Sequence, residues 1–138
     1  GESDDGDAAE SDEAGDTGGD DSNATGDLEP LADDRISFEE FQALDIRVAE
    51  ILDAEPVEDA DKLAKLQVDI GPEQRQIVAG IKQLHDLDEL PGTRIVVVAN
   101  LEKAELFGVE SNGMLLAAGE DADLLTTHGD APVGTRIQ

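Results

Sequence analysis

Cysteine, tryptophan and tyrosine are absent from this chain, and it holds one methionine and three phenylalanines. Without cysteine there is no disulfide framework and no thiolate metal site. No apolar run approaches the ~20 residues that a membrane helix needs. The first 27 residues hold no apolar stretch of the kind that drives export, so the chain reads as soluble and cytoplasmic. Cations are scarce as well: 9 Lys and Arg stand against 35 Asp and Glu, a net charge of -26. That excludes a basic coat that grips phosphates by bulk charge. Enzyme signatures are missing too. His85 and His128 lie far apart, no Gly-x-Ser-x-Gly elbow accompanies them, and no Gly-rich phosphate loop precedes a Lys. The sequence therefore offers no catalytic residue, no metal ligand set and no cofactor site.

What is present divides at about residue 34. Residues 1–34 carry 14 acidic groups and no Lys or Arg, which leaves 21 acidic and all 9 basic groups for residues 35–138. The first part is rich in Gly, Asp, Ser and Ala and has no β-branched apolar residue, so it reads as a disordered acidic linker or tail. Asp21 to Gly26 has the outline of a calcium loop, but its twelfth position is Ala32, where a bidentate Glu is required. Asn23-Ala24-Thr25 is a glycosylation sequon without an export signal. A chain that opens with Gly on such a stretch looks like a domain behind a linker. The second part still carries a net -12, with carboxylates interleaved among apolar residues. Such acidity suggests a proteome adapted to molar salt, where the Debye length is ~3 Å and self-repulsion is screened.

Residues 35–138 read as an all-β domain with small α content. Ser37 and Glu40 form a capping box that opens a short helix to about Ala43, with Phe38 and Phe41 on a core-facing side. Ile46 to Val48 alternates as a strand, and the apolar phase slips at Ala49-Glu50, as a β-bulge would make it. In Leu63 to Ile70, residues Ala64, Leu66, Val68 and Ile70 share one face. Gly71-Pro72-Glu73 turns the chain into a return strand, Arg75 to Ala79. A polar connection with a helical turn near Leu84–Leu90 follows. Ile95 to Ala99 is apolar on both faces and reads as a strand buried on both sides. Lys103 to Gly108 reads as a turn or one helical turn, Met114 to Ala118 as a strand, and Arg136-Ile137 as a short last one. Five or six short strands in ~100 residues make an antiparallel barrel or sandwich.

Four stretches together carry a resemblance. They are Leu44-Asp45-Ile46-Arg47-Val48, Ala60-Asp61-Lys62-Leu63, Gln76 to Ile81, and the long run VVANLEKAELFGVESNGMLLAA from Val97 to Ala118. In this order and spacing they resemble the tRNA-binding domain. That family is an OB-fold module appended to methionyl-tRNA synthetases, inserted in phenylalanyl-tRNA synthetase β chains, and also found free-standing. Glu55 to Leu63 is most similar to the methionyl branch. The resemblance implies a five-stranded OB-fold barrel with a short N-terminal helix and C-terminal dimerisation elements. It implies tRNA bound by shape, a homodimer, and a catalytic synthetase body in cis or in trans. The alternatives are a free-standing tRNA-binding protein and a chaperone-like export factor on the same scaffold.

Few residues have the chemistry for that work. With only three Phe, base stacking is a minor contribution, and phosphate and 2′-hydroxyl contacts remain. Asn100 both donates and accepts, and reads equally as a loop cap. Lys103 is either a solvated surface group or, by its place on the family pattern, a phosphate contact. Ser111 reads as a turn residue or, by the resemblance, as a hydroxyl that touches RNA. Met114 is either a core filler or a contact at the barrel mouth. Lys62 and Arg47 add charge, although Asp61-Lys62 also suits a turn pair. Two departures from the family pattern, Asp59 in place of a common Asn and Glu102 where a Lys or Pro-flanked pattern is common, put negative charge near the RNA face.

The interleaved carboxylates of residues 35–138 make a direct prediction. Raising KCl from 0.1 M to 2 M should raise the melting temperature followed by circular dichroism. An unchanged or lower value at 2 M overturns the halophilic reading.

Overall fold

Ser37 opens the first element as the capping box predicts. Its hydroxyl accepts from Glu40 N–H at 3.0 Å, and the Glu40 carboxylate accepts from Ser37 N–H at 2.8 Å. The helix that follows, α1, is Phe38–Gln42. The computed structural model describes residues 28–138. Most of the acidic tail, the sequon and the start of the calcium-loop outline lie outside them. Residues 36–138 form one unit.

Strand β1 (Ile46–Val57) pairs antiparallel with β2 (Ala60–Asp69), and β2 with β3 (Gln74–Ala79). β4 (Arg94–Val98) lies on the other side of β1, and β7 (Met114–Leu115) on the far side of β4. The sheet order is β3-β2-β1-β4-β7. Asn112 N–H donates to Gln76 O at 2.8 Å, so the segment ahead of β7 meets the free edge of β3 and the sheet curls toward closure. This is the five-stranded OB barrel that the sequence implied. The remaining strands are a hairpin, β5 (Ala104–Leu106) with β6 (Val109–Ser111), and a pair, β8 (Ala117–Ala118) with β9 (Asp123–Leu124).

The interior follows the alternation. Ala64, Leu66, Val68 and Ile70 are buried, and together with Ala49, Ile51, Ile77, Ile95 and Val97 they form the main core. β4 is buried on both faces, as its unbroken apolar run requires. A second, smaller cluster of Val57, Ala60 and Val78 lies apart, with Leu63 and Val109 packed against it.

Four expectations need correction. The Phe residues of α1 are not core: the helix buries none of its residues, Phe38 is 69% exposed, and the two rings stack on each other at 6.4 Å. A five-residue helix lies outside a barrel whose interior the strands already fill. The register slips at Ile51/Asp53 and Pro56/Val57, beyond the Ala49-Glu50 position where the pattern breaks, so β1 continues as one bent strand. Lys103 to Gly108 is half of a hairpin, not an isolated turn. The strand at Met114 breaks at Leu116, although Leu116 N–H still donates to Val96 O at 2.9 Å.

The chain end is fastened to the edge of β1. Ile137 N–H donates to Ile46 O at 2.7 Å, Val48 N–H to Thr135 O at 2.9 Å, and Gly134 N–H to Val48 O at 2.7 Å. Arg47 and Arg136 are bridge partners there, which is the short last strand. β2 pairs with β1 only from Glu50 onward, so the preceding edge is open for this segment. Its approach depends on glycine. A Cβ on Gly71, at φ 102, would stand 2.7 Å from Gly134 Cα.

Candidate nucleic-acid interface

Asp45, between α1 and β1, gathers several of the residues singled out in the sequence. Its N–H donates to Asn100 Oδ1 at 2.8 Å, its carbonyl accepts from Ala99 N–H at 2.7 Å, and its carboxylate accepts from Arg47 Nε at 2.8 Å. Asn100 Nδ2 also donates to Ala43 O at 2.7 Å. The Asn100 amide therefore caps the loop between α1 and β1 with both ends, while the side chain stays exposed with one donor and one lone pair left over. Arg47 donates to Gly134 O at 3.3 Å, and its bond to the Asp45 carboxylate, with the charge beside it, raises its pKa further. Arg47 is thus a clamp on the chain end.

The other arginines of the barrel act alike. Arg75, which the sequence did not single out, donates from Nη1 to Ala99 O at 3.0 Å and to Asn112 Oδ1 at 3.2 Å. Arg94 donates to Ala131 O at 2.7 Å, and Arg136 to Leu44 O at 3.0 Å. No sequence pattern marks Arg75, since a strand residue that reaches across to β4 looks like any solvent-facing cation.

Ser111 departs from the expected exposed loop. It is 5% exposed, and its hydroxyl accepts from Val78 N–H at 2.9 Å and donates to Gly113 O at 3.3 Å. Both hydrogen-bonding roles of the hydroxyl are taken up inside the fold, because β6 closes on the edge of β3 at this point.

The lysines stand elsewhere. Lys62 is exposed on β2, and Lys103 is exposed at the base of the β5–β6 hairpin, 3.8 Å from Glu110. Met114 is 46% exposed at the start of β7, so it is not a core filler. Two grooves run between the β1–β2 turn and the β5–β6 hairpin. One is lined by Lys65, Lys82 and Val109 together with Glu55–Asp61. The other is lined by Asp59–Leu63 and Phe107. Lys62, Lys65 and Lys82 thus line the two grooves, and Lys103 stands at the base of the hairpin that walls both. Among the described residues no cluster of His, Asp or Glu could hold a metal ion, and no helix is long and apolar enough to cross a membrane.

The family model described as "Putative tRNA binding domain" matches residues 46–136. A methionine–tRNA ligase of Natronomonas pharaonis is 74% identical over 129 residues, which is 91% of this chain and 18% of that protein. The chain therefore spans less than a fifth of that relative's length. Among solved structures, the MetRS related protein from Pyrococcus horikoshii is 36% identical with a TM-score of 0.69, covering 76% of this chain and 99% of its own. The chaperone CsaA from Bacillus anthracis is 28% identical with a TM-score of 0.68, covering 76% and 100%.

The buried bond of Ser111 sets an expected outcome. Ser111→Ala leaves the Val78 N–H buried without a partner and should destabilise the domain by ~1–3 kcal/mol. A thermal melt of the variant beside the wild type reads it, and an unchanged melting temperature would show that the Val78 N–H has found another acceptor.

Proposed function

The chain belongs to the tRNA-binding domain family, and on that premise we propose that it holds tRNA for methionine–tRNA ligase, as a non-catalytic part of that enzyme. Its setting is the cytoplasm of a halophile, in keeping with high-identity relatives in Natronomonas pharaonis and Halobacterium salinarum. A weak site is sufficient for such a role. Tethered to a catalytic body, it acts at millimolar effective concentration, and the same surface acting in trans would need higher affinity.

One observation carries the reading: the barrel's cations are divided by type. Its arginines are bound to backbone carbonyls, whereas Lys62, Lys65 and Lys82 line the two grooves, Lys103 stands at the foot of the hairpin that walls them, and none makes a bond closer than the 3.8 Å and 3.9 Å pairs with Glu110 and Glu55 among the described residues. Ammonium groups on flexible stems suit the irregular phosphate positions of a folded RNA. Lys103 and Lys62 meet phosphates, Met114 offers an apolar contact, and the spare donor and acceptor of Asn100 reach a 2′-hydroxyl. The Ser111 hydroxyl is taken up inside the fold and Arg47 by Asp45 and the chain end, so neither is assigned an RNA contact. A second reading, polypeptide binding on the same scaffold, is favoured by the likeness to the chaperone CsaA.

The homodimer belongs to the same proposal. Ile36 is 66% exposed and Phe38 69% exposed, and Phe38, Phe41, Leu44 and Ile137 line one pocket together with Gln42, Arg136 and Gln138. On a chain of net charge -26, exposed apolar side chains gathered in one place point to a covering partner, and a second copy meets them by symmetry.

Two measurements test these proposals. Titration with unfractionated tRNA should give a slope of log K against log[salt] of about −1 to −3, because few cations release few counterions. Lys103→Glu should weaken binding by ~1–3 kcal/mol with folding intact. No tRNA binding, together with binding of an unfolded polypeptide, would favour the second reading. In sedimentation the wild type should run as a dimer at micromolar concentration and Phe38→Asp as a monomer. A monomeric wild type removes the dimer from the proposal.

A further inference from the structure

Phe107 stands in a position that neither local backbone preference nor packing explains. Leu106 pairs with Val109, so Phe107 and Gly108 are the whole turn of the β5–β6 hairpin, with φ 52 and 79. Positive φ at both central residues is the geometry of a two-residue hairpin that favours Asn-Gly or Asp-Gly. Gly108 fits it at no steric penalty, but a bulky side chain in the left-handed region is a true outlier. Nor does burial hold the ring, which is 68% exposed. A residue held against both preferences is a reason to look for a ligand.

The surroundings say which kind. Phe107 forms one wall of a groove whose other wall is Asp59–Leu63. Asp59 is the tip of the facing β1–β2 turn and is itself left-handed, at φ 67. The β1–β2 turn, and the connection between β4 and β7 that carries the hairpin, are the two loops with which OB barrels bind nucleic acids. The charge on the groove is mixed: Asp59 and Asp61 accompany Lys62. A phosphate alone gains little there. A neutral base presents a flat face to the ring and N–H donors to the carboxylates, and leaves its own phosphate for the lysine.

We propose that Phe107 is a stacking platform for one unpaired RNA base, taken into the groove against the Asp59–Leu63 wall, with the Lys62 ammonium at the neighbouring phosphate. The base contributes N–H donors to Asp59 or Asp61, so a base whose exposed edge carries such donors binds best. This deepens the tRNA reading and rests on it: the domain reads the shape of the folded RNA with its lysines and takes hold of one nucleotide that is not stacked in a helix. Stacking does not depend on charge, so this contact persists in salt that screens the lysines.

The test uses the full 138-residue chain as wild type, Phe107→Leu, Phe107→Trp and Phe107→Asn, titrated with unfractionated tRNA at 0.5 M and 2 M KCl, with thermal melts alongside. Phe107→Trp should bind as tightly as wild type or tighter. Phe107→Leu and Phe107→Asn should bind about 5- to 150-fold more weakly at both salt concentrations, the range that removing one base–aromatic stack produces. Phe107→Asn should melt at a higher temperature than wild type, because Asn suits the turn, so its weak binding is not a loss of fold. If wild type binds tRNA and the Leu and Asn variants bind equally well, the stacking platform is overturned while the tRNA reading stands. If wild type binds no tRNA, the family-based reading has failed and the platform fails with it. If an unfolded polypeptide occupies the groove in wild type, is lost in Phe107→Leu and is not displaced by tRNA, the groove is a peptide site and the proposal is overturned.

Discussion

Scarcity of positive charge is the constraint from which the rest of this molecule follows. With 9 cations among 35 carboxylates, each cation that serves the fold is one fewer for a ligand. The two kinds of cation differ in what they can do. A guanidinium offers five donors in a rigid fork, stays charged, and is weakly hydrated, so it can bond several carbonyls at once. Arg47 and Arg94 each bond one carbonyl and Arg75 and Arg136 two, and each joins segments far apart in sequence: β1 to the chain end, β3 to the ends of β4 and β6, β4 to the segment at Ala131, and the chain end to the exit of α1. These bonds depend on geometry more than on net charge. They therefore persist when salt screens ordinary surface ion pairs, which contribute little in any case. The lysines, with compact and strongly hydrated ammonium groups, remain at the grooves and at the hairpin base.

The barrel was largely legible in the sequence because its physics is local and periodic. Alternation at Ala64, Leu66, Val68 and Ile70 dictates which face of β2 is inside, and the double-sided run at Ile95 to Ala99 can exist only at the centre of a covered sheet. The capping box at Ser37 and the Gly71 turn are equally local. The failures share one cause, which is that partners distant in sequence decided them. Phe38 and Phe41 sit on one helical face, but periodicity does not say whether that face meets this barrel or another surface. Ser111 lies between Glu110 and Asn112 in what reads as a polar turn, and only the arrival of β3 makes it interior. Lys103 to Gly108 reads as a turn without its hairpin, because Phe107 is not a residue that the two-residue hairpin geometry favours.

Of the residues singled out beforehand, those with the most hydrogen-bonding capacity proved to be the ones most tied to the fold. Asn100, Ser111 and Arg47 all have internal partners at normal hydrogen-bond distances. A polar side chain that is rigid enough to be a good recognition element is rigid because something holds it, and in a small barrel that something is the backbone. Lys103, Lys62 and Met114 have no such ties. They project from an ordered frame, the arrangement in which a binding surface can change without disturbing the core.

The stretch from Val97 to Ala118 shows why a strong family signature is a poor map of contacts. Val97 and Leu115 are core, Asn100 and Ser111 join loops to strands, and Gly113 is required because a Cβ there would stand 3.2 Å from Ile77 Cδ1 and Val98 O at φ 129. Most of the signature is thus the apparatus that bends the chain out of β4, through a hairpin and back into β7. Such apparatus constrains sequence tightly whatever the hairpin carries at its tip. The tip itself is under a different constraint: it holds an awkward residue only while the frame below is stable enough to bear the strain. A frame closed by four arginine clamps is such a frame, and so the same scarce cations that set the fold also permit an aromatic ring to be held out in water at Phe107.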